Sequence, residues 1–74
     1  MKPVFSLQVT PLVGISVKDS VREAMRLAQL MGVLVKYTFN DAEVCVSRNG
    51  LQYAVDIRNY ERAAWFHDRL TDKR

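Results

Sequence analysis

"KYTFNDAEVCVSRNGLQYAVDI", residues 36–57, places two tight-turn signals, Asn40-Asp41 and Asn49-Gly50, between runs of alternating apolar and polar residues. Asn, Asp and Gly tolerate the left-handed backbone that two-residue hairpin loops require. A turn centred on Asn40-Asp41 pairs Phe39 with Ala42, Tyr37 with Val44 and Val35 with Val46. A turn centred on Asn49-Gly50 pairs Arg48 with Leu51, Val46 with Tyr53, Val44 with Val55 and Ala42 with Ile57. Both registers place the same residues of the middle strand on one face. That face then carries Val33, Val35, Tyr37, Phe39, Val44, Val46, Leu51, Tyr53, Val55 and Ile57. A slip of one residue would turn a strand's whole apolar set towards water. The stretch therefore predicts a three-stranded antiparallel meander over residues 33–39, 43–48 and 51–57. Its other face, with Leu34, Lys36, Thr38, Glu43, Cys45, Ser47, Gln52, Ala54 and Asp56, is small and polar and suits solvent.

The apolar face needs a cover, and the flanking sequence offers two helices. In "SVKDSVREAMRLAQLMG", residues 16–32, Ser16 with Asp19 resembles a capping box and Gly32 occupies a C-cap position. Val17, Val21, Ala24, Ala28 and Met31 share one stripe of this helix at about 100° per residue, with Met25 and Leu27 at its margins. "NYERAAWFHDRL", residues 59–70, reads as a second helix capped by Asn59, with Tyr60, Ala63, Phe66, His67 and Leu70 as its buried stripe. Ahead of both, "VFSLQVT" alternates Phe5, Leu7 and Val9 against polar neighbours and reads as a fourth strand. Pro11 and Gly14 then favour a bend. The whole is a single α+β domain over residues 1–74, in the order β-α-β-β-β-α, with both helices on one face of the sheet.

Seventy-four residues, 49% of them hydrophobic and 26% charged, suit one small globular domain. A core of this size supplies about 3–5 kcal/mol, so packing shared with a second copy is an attractive source of stability. One cysteine excludes an intrachain disulfide and a four-cysteine metal framework. Apolar runs are too short for a membrane span, and the N-terminus lacks the features of a secretory signal. A free thiol without an export signal fits the reducing cytoplasm. The net charge of +3 is compatible with nucleic acid without pointing to it.

"REAMRLAQLMGVLVKYTFNDAEVCVS", residues 22–47, resembles a pattern in small uncharacterised bacterial and prophage proteins: an Ala/Leu-rich helix followed by an aromatic-x-Phe-Asn hairpin with alternating valines. The resemblance implies a bacterial or phage origin and carries no activity or binding residues with it. The helix, three-strand, helix order also resembles the double-stranded-RNA-binding domain. That family's His-bearing loop and its lysine cluster opening the last helix are absent, since the loop here is Asn40-Asp41 and the helix opens Asn-Tyr-Glu-Arg.

Few residues suggest chemistry. Cys45 and His67 are the sole Cys and His, and they are expected on opposite faces of the sheet, so no Cys-His nucleophilic pair forms. Glu43 and Asp56 are expected side by side on the polar face, where a hard cation would find too few oxygens, with Lys36, Thr38 and Arg58 as neighbours. Walker, dinucleotide-binding and zinc signatures are missing. No catalytic residue, cofactor or metal ligand is assigned. What remains is binding. Trp65 falls off the stripe of the second helix, and tryptophan is enriched at binding hot spots. Either residues 1–15 fold over it, or it meets another molecule together with Phe5, Leu7 and Leu12. The favoured reading is a non-enzymatic protein-interaction module, plausibly a homodimer, with no membrane partner. The alternative is nucleic-acid binding through Lys18, Arg22 and Arg26 of the first helix, with Arg58 and Arg62.

Overall fold

The computed structural model describes residues 3–71. In chain order these form β1 (Ser6–Gln8), α1 (Val17–Met31), β2 (Leu34–Phe39), β3 (Ala42–Ser47), β4 (Gly50–Asp56), β5 (Glu61–Arg62) and α2 (Ala64–Leu70). The α+β class holds, but the sheet is larger than the meander and is mixed. Its order is β1-β2-β3-β4-β5, with β1 parallel to β2 and every other pair antiparallel. A parallel neighbour requires a crossover, and α1 is that crossover, which lays it across one face of the sheet. Among the described residues, no helix is long and apolar enough to cross a membrane.

The first hairpin follows the sequence closely. Asn40 and Asp41 take φ of 44° and 68°, the left-handed pair that a type I′ turn demands. Phe39 pairs with Ala42, Tyr37 with Val44 and Val35 with Val46, as expected. The second hairpin departs from expectation. Ser47 pairs with Gly50, so Arg48-Asn49 form the tip, and the register then slips between Cys45 and Val46 to set Val44 opposite Ala54 and Glu43 opposite Val55. The Ser47 hydroxyl explains the shift. It accepts from the Asn49 N–H at 3.1 Å and from Gln52 Nε2 at 2.9 Å, and donates to the Gly50 carbonyl at 3.2 Å. Such a local side-chain turn draws the loop back by one residue. Gly50, at φ 132°, absorbs a backbone shape closed to other residues.

The consequence is a change of parity along β4. Ala54 and Asp56 face the helices, while Tyr53 and Val55 stand half-buried on the other side and Ile57 is exposed. The predicted Glu43–Asp56 pair does not exist, because Val55 stands opposite Glu43. Asp56 is instead clamped by Arg58, whose Nε and Nη2 donate to its two oxygens at 3.0 and 2.8 Å. The Arg58 N–H adds a third bond at 2.9 Å. These bonds, led by the side-chain pair, hold the Asp56 carboxyl at about 2, below its ordinary 3.8.

Beyond this clamp the expected twelve-residue helix is broken in two. Tyr60 adopts φ 58° and donates its N–H to the Asp56 carbonyl at 2.7 Å, which turns the chain back as β5. Asn59 closes this turn by accepting from the Glu61 N–H at 3.1 Å and caps no helix. Tyr60 is exposed, not part of a buried stripe. Only residues 64–70 remain helical.

α1 begins and ends as its sequence dictates. Ser16 Oγ accepts from the Asp19 N–H at 3.1 Å, and Gly32 closes the helix at φ 67°. Val17, Val21, Ala24 and Ala28 bury against Val35, Tyr37, Ala42, Val44, Val46 and Ala54, with Ala63 and Phe66 completing the core from the α2 side. The two alanines let the helix backbone approach the sheet. Phe66 is fully enclosed and contributes about 2–3 kcal/mol by burial. Ser20 and Tyr37 meet through their hydroxyls at 3.0 Å, and Ser20 also donates to the Val17 carbonyl at 2.7 Å. Burial pushes the Tyr37 phenol pKa up, so it stays neutral.

Candidate functional site

Each residue singled out above has a place in this fold, and they do not converge on one spot. Trp65 is half-buried, with its ring centroid 6.3 Å from Phe39 and 5.8 Å from Phe66. Sequence reasoning allowed only residues 1–15 or a second molecule to cover it. The end of β2 does so, because Phe39 falls on the helix side of its hairpin and reaches α2. Trp65 is thus the flank of an aromatic cluster.

The basic candidates divide between two sides of the sheet. Lys18, Arg22 and Arg26 line the exposed side of α1, where Arg22 pairs with Asp19 at 3.4 Å and Arg26 with Glu23 at 3.5 Å. Arg62 stands opposite Val55, on the face turned away from α1. Arg58 has its guanidinium on Asp56. Cys45 is buried on that far face, in a row that runs Gln8, Lys36, Cys45, Tyr53 across four strands. Burial raises its thiol pKa, outweighing the Lys36 ammonium and the Tyr53 hydrogen bond, and a neutral thiol is a poor nucleophile. His67 lies edge-on to Phe66 on the helix side, so the sheet separates the two. Among the described residues, no three His, Cys, Asp or Glu gather as a metal site would need.

What the structure does bring together lies along the outer edge of β1. The Leu34 N–H donates to the Phe5 carbonyl at 3.0 Å, and the Val9 N–H donates to the Lys36 carbonyl at 2.9 Å. Odd-numbered residues of β1 thus bond inward to β2. By the alternation of a strand, Ser6 and Gln8 turn their N–H and C=O groups outward, to an edge with no neighbour among the described residues. The side chains follow the same alternation. Ser6 and Gln8 share the far face with Leu34 and Lys36, and Phe5, Leu7 and Val9 take the helix side.

α1 does not reach far enough to cover that strip. Phe5 is 73% exposed, and in the last turn of α1 Leu30 is 81% and Met31 54% exposed. Val9 and Leu27, with Pro11, Ile15, Ala24 and the Ser20–Tyr37 pair, line a shallow pocket of about 60 Å³ between the strand and the helix. At the other end of the strand, Leu12 and Val13 project from the loop into α1 and are exposed. That loop borders an open cleft of about 700 Å³ that extends to Phe39 and Arg69. Met1, part of the predicted N-terminal surface, lies outside the described residues.

Phe5, Leu7 and Leu12 were legible as an apolar segment. Leu30 and Met31 were not. Met31 sits within the buried stripe on a helical wheel, yet in the last turn of α1 it is 54% exposed. The neighbouring Leu30, on the opposite side of the helix from Val21, was the available signal.

The opposite edge of the sheet offers a contrast. β5 is two residues long and charged, Glu61 and Arg62, and both are exposed. Short charged edge strands discourage further pairing. β1 carries no charge between Pro3 and Pro11. No protein-family model, curated protein or solved structure matches this chain, so its own geometry is what speaks to function.

Proposed function

We propose that this chain is a protein-interaction module that docks a partner on the outer edge of β1. One observation carries the reading. An uncharged edge strand turns four backbone groups outward with no partner among the described residues, and Phe5 beside it is 73% exposed. An added strand satisfies such groups with main-chain hydrogen bonds and takes specificity from the side chains alongside. Exposed apolar area next to an open edge is costly unless something binds there. In this reading Phe5, Leu7 and Leu12 contact the partner, and Trp65 supports the fold behind them. The nucleic-acid reading draws less from this geometry. Its five cations lie on two sides of the sheet, and Arg22, Arg26 and Arg58 each have a carboxylate within 4 Å.

The test is site-specific photo-crosslinking in the cells that make the protein. A benzophenone side chain at position 8, whose native Gln8 is exposed, should give protein adducts. The same group at position 61, on the charged edge, should give none. If position 8 yields no adduct with any protein, the reading fails.

A further inference from the structure

Taking the β1 edge as the docking surface, as proposed above, we infer that its occupant is a second copy of this chain, paired antiparallel about a two-fold axis through Leu7. The product is one continuous sheet with five strands from each copy.

Self-pairing fits the strand in three independent respects. The first is backbone geometry. β1 spans Ser6–Gln8, and only a two-fold axis at its midpoint pairs all three residues of one copy with all three of the other. Ser6 then faces Gln8 of the other copy, and Gln8 faces its Ser6. In antiparallel pairing two opposed residues that both point at each other exchange two hydrogen bonds. Each outward group on both copies is therefore satisfied, and the alternation of β1 already has the right phase for it. Pro11, an inward-facing position, has no N–H to extend the pairing with β2, which keeps β1 short.

The second respect is charge. A two-fold axis sets the residue on it against its own copy, where a charge would meet its like and repel. Residues 3–11 contain none.

The third is the placement of apolar residues. Exposed Phe5 immediately precedes β1, and exposed Leu12 and Val13 follow it. An antiparallel copy lays the first end against the second, twice. A two-fold axis perpendicular to the sheet also keeps both α1 helices on the same side. Leu7 then meets Leu7 of the other copy, and Phe5 meets its Val9, in one strip between the helices. A contact of this kind is isologous and closes at two copies.

Sedimentation equilibrium over a wide range of protein concentration should show a dimer that dissociates on dilution. Gln8→Pro removes an outward N–H without touching the bonds to β2, and an edge position admits proline. That variant should keep its far-UV circular dichroism and weaken the dimer by about thirtyfold or more, the loss of two hydrogen bonds. Cysteine trapping then reads the register. Leu7→Cys should link to itself under mild oxidant, as should a mixture of Phe5→Cys with Val9→Cys, whereas Phe5→Cys alone should not. The unaltered chain, whose Cys45 is buried, serves as the blank. A dimer that survives Gln8→Pro, or that fails to link at Leu7→Cys, overturns the inference. A protein that is monomeric throughout, while position 8 still crosslinks to some other protein, overturns self-pairing and leaves the interaction module standing. Monomer with no adduct at position 8 removes both.

Discussion

Asp56 shows how a single residue can be misread from its neighbours in sequence. The Asn49-Gly50 turn assigned it to the open face as half of an acidic pair, and a one-residue shift in register turned it inward to meet Arg58. The pairing makes stability depend on pH with a definite sign. With its folded pKa at about 2 against an ordinary 3.8, the carboxylate contributes stability that is fully present above pH 3.8 and lost as pH falls towards 2. Replacing Asp56 with Asn should flatten the acid limb of a stability–pH curve across that interval, measured by urea unfolding at stepped pH. An acid limb unchanged by the substitution would show that the Arg58 clamp does not form in solution. Trp65 was misjudged for a related reason. A helical wheel shows which way a side chain points from its own axis, but not that the end of a neighbouring strand, here Phe39, extends far enough to meet it.

The two hairpins separate what local sequence can specify from what it cannot. Asn40 and Asp41 both accept a left-handed backbone and no adjacent side chain competes, so the turn, its register and both strand faces were readable. At the second turn Asn-Gly competes with the Ser47 hydroxyl, and the hydroxyl prevails. Ser47→Ala should therefore cost about 1–2 kcal/mol in denaturant unfolding, since it leaves the Asn49 N–H and the Gln52 amide without their acceptor. A negligible change would assign the register to packing of Ala54 beneath α1. The first helix was readable end to end because both caps are local. The second was not, because its first five residues are helical in pattern yet are diverted through β5 by the Asp56 turn and Tyr60, neither of which leaves a mark on apolar periodicity. The proposed docking surface was readable only in part. Apolar alternation identified Phe5 and Leu7, but the partner of β1 and the direction of that pairing depend on how elements pack.

For the whole molecule, the parallel pairing of β1 with β2 joins segments 28 positions apart, Ser6 with Leu34, whereas the meander closes between adjacent strands. Closing the longer loop costs more chain entropy and must wait for α1 to settle. The two events are written side by side along one strand. Leu34 and Lys36 direct their amides to β1, while Val35 and Tyr37 direct theirs to β3. In native-state hydrogen exchange the even-numbered amides of β2 should open at lower free energy than the odd-numbered ones, giving an alternating pattern of protection over four consecutive residues. Uniform protection along β2 would mean that β1 and the meander unfold as one unit. If alternation is found, the N-terminal strand is the last piece to arrive and the first to leave, and the chain passes through a state in which β2 is itself an open edge. A neighbouring copy that supplies its own residues 5–9 to that edge would make an exchanged dimer, so the same strand that offers an interface also sets the conditions for domain swapping.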